Sequence, residues 1–175
     1  MSPDFSLVLS GEWWGIAELG PKLTIDGKQI LSATYGKALE RNILILCHYD
    51  TVWPEGTLSR LPFQIKGDIC TGPGVFDMKS GILISLYAMK FLSAFPLKRS
   101  VTILITPDEE VGSETSKDLI LSFAKKSDAV LVLESSEKGM LKVGRKGVGT
   151  FCVKALGKAS HAGLDPCASY IETRF

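Results

Sequence analysis

The chain has 175 residues, of which 45% are hydrophobic and 22% charged, a composition that excludes disordered, collagenous and membrane-spanning classes. Twenty Lys and Arg against nineteen Asp and Glu leave a formal net charge of +1, so bulk electrostatics offers nothing to nucleic acid or an anionic membrane. A small-molecule substrate is the expected partner, and the length fits one domain or slightly more.

Residues 1–40 are weakly patterned. Trp13, Trp14 and Ile16 lie among Gly11, Gly15, Gly20, Pro21 and Gly27, which predicts short strands and turns. The apolar patch Phe5–Leu9 follows Asp4 with no basic segment before it, so no signal peptide is expected. No apolar run approaches the ~18 residues of a membrane span. Cys47, Cys70, Cys152 and Cys167 form no C-x-x-C pair, which points to reduced, packed thiols and a cytoplasmic protein.

From Asn42 onward the pattern sharpens. Ile43–Cys47, Val101–Thr106 and Ala129–Leu133 are continuous apolar runs, the form of strands buried on both faces of a sheet. Between them lie two predicted helices. The first runs from Met78 to about Phe95 and is apolar almost all round; the second runs from Ser113, a candidate cap, to about Lys126. Strands alternating with helices predict an α/β fold with an open, largely parallel sheet. After Lys138 the texture changes: Met140–Val143 and Gly149–Leu156 read as strands joined by a glycine-rich stretch. The expected division is residues 1–145 as one domain and 146–175 as the start of another.

In an open α/β sheet, ligands bind beyond the carboxyl ends of the strands. Those positions hold His48-Tyr49-Asp50, Asp108-Glu109-Glu110 and Glu134, with Asp77 just before the long helix at a cap position. Singly, each has a plainer role: His48 as a polar edge residue, Asp77 as a helix cap, Glu109 and Glu110 as solvated charge, Glu134 as part of an acidic turn. Collected at one edge, however, the carboxylates repel one another unless a cation sits among them. A metal site accounts for them together. His48 and Asp50, two apart, can face the same way, so that His48 binds metal and Asp50 holds its other ring nitrogen. Adjacent Glu109 and Glu110 can divide the work of base and ligand, and Asp77 has two oxygens with which to bridge two ions. Mixed imidazole and carboxylate ligation suits zinc, with cobalt or manganese as competitors.

Five segments in order resemble the dinuclear zinc peptidases and deacylases, the family of glutamate carboxypeptidase, succinyl-diaminopimelate desuccinylase and aminoacylase. They are His48-Tyr49-Asp50-Thr51-Val52, Gly72–Gly81, Thr106–Ser113, Leu133-Glu134 and Gly157–Gly163. Asp50–Leu58 is most similar to the glutamate carboxypeptidase branch. The resemblance implies two zinc ions, with His48 and Glu134 on one, Glu110 on the other and Asp77 as the bridge. It implies Glu109 as the catalytic base, Asp50 as the residue orienting His48, and His161 as a lid-domain residue that polarises the scissile carbonyl. The implied reaction is metal-assisted hydrolysis of an amide bond to a C-terminal glutamate or similar amino acid, in a small peptide or N-acyl amino acid. Residues 1–145 then belong to the catalytic domain and 146–175 open an α+β lid and dimerisation domain, full-length relatives being homodimers.

The family also uses a further histidine ligand beyond the lid. The two histidines here are His48 and His161, so the chain reads as an incomplete member of the family. The alternative function is a metal-binding fragment without catalysis.

Overall fold

The computed structural model describes residues 17–19, 23–25, 27–36, 42–149, 151–154 and 173–174. The chain divides into two compact units, Met1–Ser135 and Ser136–Phe175. In the first, three strands, β1 (Ala17–Leu19), β2 (Leu23–Ile25) and β3 (Lys28–Tyr35), precede β4 (Asn42–His48). A small antiparallel hairpin follows, β5 (Gln64–Lys66) with β6 (Ile69–Thr71). Helix α1 (Ser80–Leu92), β7 (Ser100–Thr106), α2 (Lys117–Ala124) and β8 (Ala129–Val132) complete the unit.

The main sheet has the order β1-β3-β7-β4-β8, with β2 also paired to β3. Its centre is parallel: β4 pairs with β7 from Asn42↔Ser100 to His48↔Thr106 and with β8 from Ile43↔Ala129 to Leu46↔Val132. This register brings the carboxyl ends of three strands to one edge. The other half is antiparallel, with β3 running against β7 from Leu31↔Ile105 to Tyr35↔Val101. The weak patterning before residue 40 thus concealed an eight-residue strand, because Lys28–Tyr35 mixes apolar with small polar residues and draws its pairing from distant β7.

Alternation along the central strands builds two cores. Ile45, Cys47, Val101, Ile103 and Ile105 face Ile82 and Met89 of α1, while Leu44 and Leu104 face the other way, towards Leu119, Ile120 and Phe123 of α2. Side chains two apart share a face, so one strand serves both layers. Every residue of β7 is buried. At the amino edge Asn42 receives hydrogen bonds on Oδ1 from Ser100 (3.1 Å) and Thr102 (3.0 Å) and donates from Nδ2 to Ser127 Oγ (2.9 Å). The strand starts are thereby locked in register.

Several expectations are corrected. Strand β8 is exposed rather than buried, since β4 is its one strand neighbour in the described sheet. Helix α1 buries Gly81, Ile82, Ser85 and Met89 but leaves Leu83, Ile84, Tyr87 and Phe91 exposed; its all-round apolar sequence does not mean all-round burial. Asp77 is no helix cap: the backbone at Asp77 and Met78 is non-helical, with a cis peptide between them, and α1 begins at Ser80. Helix α2 begins at Lys117, after Ser113, because Asp108 Oδ2 captures the N–H groups of Thr115 and Ser116, each at 3.0 Å, and the Thr115 hydroxyl at 2.6 Å.

In the second unit, Met140–Val143 is not a strand. Met140 makes an isolated bridge to Glu137, and residues 141–149 have no regular structure. Cys152–Val153 and Thr173–Arg174 form a short antiparallel pair. Among the described residues no helix is long and apolar enough to cross a membrane.

Helix α1 lies so close to the end of β8 that a Cβ on Gly81 would overlap the carbonyl oxygen of Leu133 and come within 3.0 Å of Met78 Cε. Ala gains at most about 1 kcal/mol over Gly in helix propensity, whereas overpacking costs about 1–3 kcal/mol. Because the clash is with backbone, overpacking wins. Gly81→Ala is expected to destabilise by about 1–2 kcal/mol, read as a lower urea midpoint; an unchanged or higher midpoint refutes the close packing.

Candidate metal centre

Three loops leaving the parallel strands, and the turn before α1, meet at His48. The last residue of β4, it is 1% exposed. Its backbone N–H donates to Met78 Sδ at 3.1 Å, joining the strand end to the turn that carries Asp77. Tyr49 N–H donates to Thr106 O at 3.0 Å, continuing the link between β4 and β7 past the strand.

Around the imidazole the contacts divide by ring nitrogen. Nδ1 lies 3.3 Å from Asp50 Oδ1 and 3.2 Å from the Asp50 carbonyl oxygen. Nε2 lies 3.2 Å from Asp77 Oδ1, 3.1 Å from Glu134 Oε1 and 3.8 Å from Glu109 Oε2. With a proton on Nδ1 facing Asp50, the Nε2 lone pair points at carboxylate oxygens, which repel it unless a positive centre lies between. His48 Nε2 and an oxygen each of Asp77 and Glu134 lie within 4.8 Å of one another. Tetrahedral zinc, with ligands at about 2.0–2.2 Å, sets its donors roughly 3.3–3.6 Å apart. The contacts of Nε2 with the two carboxylates are close to that spacing, so the donor set fits a divalent ion.

The electrostatics agrees. Burial lowers the His48 pKa, but Glu134, Asp50, Glu109 and Asp77 outweigh it and the net shift is upward. Glu134 is also raised, first by burial and then by Asp77. Both shifts express a surplus of negative charge in a confined space, which a cation would relieve. Neighbouring Cys47 is pushed up to about 12, chiefly by burial and then by Glu134, and stays a thiol rather than a competing thiolate ligand.

Asp50 has a second attachment not read from the sequence. Its carboxylate accepts hydrogen bonds from the backbone N–H groups of Glu109 (3.3 Å) and Glu110 (3.0 Å). It therefore caps the short turn Glu109–Val111 while lying against the ring of His48. Lys79 was also missed; its Nζ donates to Tyr49 O at 3.5 Å. Burial lowers the pKa of Lys79 while Asp50, Asp77 and Glu110 pull it upward. Being cationic, with no lone pair to offer, Lys79 gave no metal-ligand signal, and only the fold places it here.

The structure thus brings together His48, Asp77 and Glu134, with Asp50 and Glu109 in contact with the same ring. Glu110 stands outside that ligand group and bears instead on Lys79. Asp108, at the same strand end, is 3% exposed and turned away, accepting hydrogen bonds from the N–H groups of Thr115 and Ser116 just ahead of α2. Burial raises its pKa, but the hydrogen bonds from Ser116 and Thr115 prevail and hold the carboxyl below the usual range. His161 lies outside the described residues.

A sheet that gathers imidazole and carboxylates beyond its parallel carboxyl ends defines an α/β protein with a candidate metal centre. The chain belongs to peptidase family M20/M25/M40, whose profile matches residues 44–169. It is 39% identical over 146 residues to carboxypeptidase G2 of Pseudomonas sp. (strain RS-16), covering 81% of this chain and 35% of that protein. To succinyl-diaminopimelate desuccinylase of Wolbachia sp. subsp. Brugia malayi (strain TRS) it is 34% identical over 153 residues, covering 78% of this chain and 38% of the relative. The chain thus spans about a third of the length of these relatives. In fold it is similar to an M20 family metallo-carboxypeptidase from Sulfolobus solfataricus, with a TM-score of 0.56 and 24% identity over 68% of this chain and 29% of that one.

Two substitutions test the centre. Because a residue that orients a ligand is commonly worth roughly 10–100-fold in metal affinity, Asp50→Asn is expected to weaken zinc binding by that factor in calorimetric titration. His48→Asn is expected to abolish the high-affinity site. Wild-type affinity in both variants excludes a metal centre at His48.

Proposed function

We propose that the protein carries the metal-binding part of a zinc-dependent amidohydrolase that cleaves the bond to a C-terminal glutamate or similar amino acid in small peptides or N-acyl amino acids. The observation that carries this reading is the set of contacts on one ring nitrogen. His48 Nε2 meets Asp77 and Glu134 at ligand spacing, while Glu109, half exposed, stands 3.8 Å from the same atom. The relationship to carboxypeptidase G2 supports the choice of substrate class.

His48, Asp77 and Glu134 would hold one zinc ion, and Asp77 with Glu110 would contribute to a second. When bound, the metal supplies Lewis acidity, bringing the pKa of a water at the site to about 7. Glu109 takes the proton from the attacking water and returns it to the leaving amine when the amide C–N bond breaks. Asp50 keeps Nδ1 of His48 engaged, so that Nε2 remains a ligand. His161 polarises the scissile carbonyl, and residues 146–175 open the lid domain to which it belongs.

One observation favours the second reading, a metal-binding fragment without catalysis: among the described residues His48, Asp77 and Glu134 form a single group of three candidate ligands, and no second such group is built around Glu110. Metal stoichiometry and turnover separate the two. Two zinc ions per chain with hydrolysis of an N-acyl glutamate support the hydrolase; one weakly held ion and no hydrolysis support the fragment. In the active form, Glu109→Gln is expected to retain its zinc and lose at least about 100-fold in kcat. Wild-type turnover in that variant removes Glu109 from the role of base.

A further inference from the structure

Strand β4 offers its backbone groups alternately to its two neighbours. On the β7 side Tyr49 N–H donates to Thr106 O at 3.0 Å, and on the β8 side Leu133 N–H donates to Leu46 O at 3.3 Å. Bonds in a parallel ladder are evenly spaced, so the next one on the β8 side would run from His48 N–H to the Leu133 carbonyl. Instead the β4–β8 register ends at Leu46↔Val132, and His48 N–H donates to Met78 Sδ at 3.1 Å.

The Leu133 carbonyl is turned towards α1, where a Cβ on Gly81 would overlap it; the same Cβ would come within 3.0 Å of Met78 Cε. The methyl end of Met78 therefore lies near the Leu133 carbonyl while its sulfur holds the His48 amide. The thioether sits between the two strand ends. Met78 is buried in the core with Ile45, Cys47 and Ile82, against which Leu133 also packs. Met in a core ordinarily fills gaps, a task that needs no hydrogen bond, and its sulfur is a weak acceptor beside a carbonyl oxygen. Here that weaker bond leaves Leu133 and Glu134 outside the ladder. From that position Glu134 Oε1 reaches His48 Nε2 at 3.1 Å, alongside Asp77 Oδ1 at 3.2 Å.

We propose that Met78 is a positioning residue of the metal centre: its thioether takes the place of the next β4–β8 hydrogen bond and so parts the strand ends, seating Glu134 against His48. This role rests on the metal-centre reading above. A leucine at position 78 would fill nearly the same volume but accept nothing. The His48 N–H would then be buried without an acceptor, which is unfavourable, and the Leu133 carbonyl, its partner in a continued ladder, would become the available one. Satisfying the amide in that way draws Leu133 towards β4 and carries Glu134 out of its place. Packing alone leads to a different outcome. Volume-conserving apolar swaps are well tolerated, so a Met78 that only filled the core would leave zinc binding untouched when replaced by leucine.

The test compares the full chain with its Met78→Leu variant and with the chain grown in selenomethionine, which keeps the shape of the side chain and replaces the acceptor atom. Calorimetric titration reads zinc affinity, NMR reads the His48 amide proton, and circular dichroism checks folding. Met78→Leu is expected to fold and to bind zinc about tenfold or more weakly than the wild type. Selenium is expected to shift the His48 amide resonance by more than those of Cys47 and Tyr49, whose N–H groups lie on the β7 side. Wild-type zinc affinity in the folded Leu variant, or a His48 resonance that selenium leaves unmoved, overturns the role of Met78; zinc bound by the wild-type chain then leaves the metal centre standing without it. If Met78→Leu does not fold, the selenomethionine comparison decides. A wild-type chain that binds no zinc defeats the metal-centre reading and the positioning role together, and a shifted His48 resonance in that chain locates the failure at the metal rather than at the Met78 contact.

Discussion

Around the buried ring of His48 the chain gathers the carboxylates of Asp50, Asp77, Glu109 and Glu134, all within 4 Å of one or other ring nitrogen. Like charges this close repel, most strongly at Asp50 and Glu134, which are largely shielded from water, and less at Asp77 and Glu109, which are about half exposed. The neighbouring architecture bears on this constraint. Parallel pairing of β7, β4 and β8 sets the strand ends side by side, and short hydrogen-bonded loops limit how far each carboxylate can retreat. A cation converts the same crowding into attraction, so the arrangement is costly alone and favourable when metallated.

Asp50 and Asp108 show how two similar carboxylates are assigned different work by backbone donors. Asp108 spends one oxygen on the start of α2 and is withdrawn from the edge. Asp50 accepts from the turn at Glu109 and Glu110 while keeping contact with His48. Displacing Asp50 would therefore disturb a ligand and the proposed base together. Gly81 acts at the opposite side, where its lack of a Cβ lets α1 approach Leu133, the residue before Glu134.

The sheet centre was legible because Ile43–Cys47 is an uninterrupted apolar run and Val101–Ile105 is interrupted by Thr102 alone, each followed by polar residues, a pattern with few other uses in an α/β fold. His48, Asp77 and Glu134 could be named for the same reason: they follow or adjoin predicted elements and have side chains that bind metal. Strand β3 was not legible, since it opens with the polar Lys28 and Gln29, and Ser32 and Thr34 break its apolar pattern. The exposure of β8 and of one face of α1 could not be read either, because an apolar run does not reveal how many neighbours it has. Similarly, Asp77 resembled a helix cap by position, and only the backbone turn at Met78 shows that it faces His48 instead.

The bond from His48 N–H to Met78 Sδ spans 30 residues, and the one from Glu110 N–H to Asp50 spans 60. None of the ligand pairs is local in sequence, so the three donors meet only where the parallel sheet is formed. Closing those long loops costs entropy, which an ion held by all three donors offsets. Metal and folding are then linked by mass action: at a hundredfold excess of free ion over its Kd, the folded state gains about 2.7 kcal/mol. That gain lowers the population of opened forms in which the ends of β4, β7 and β8 come apart.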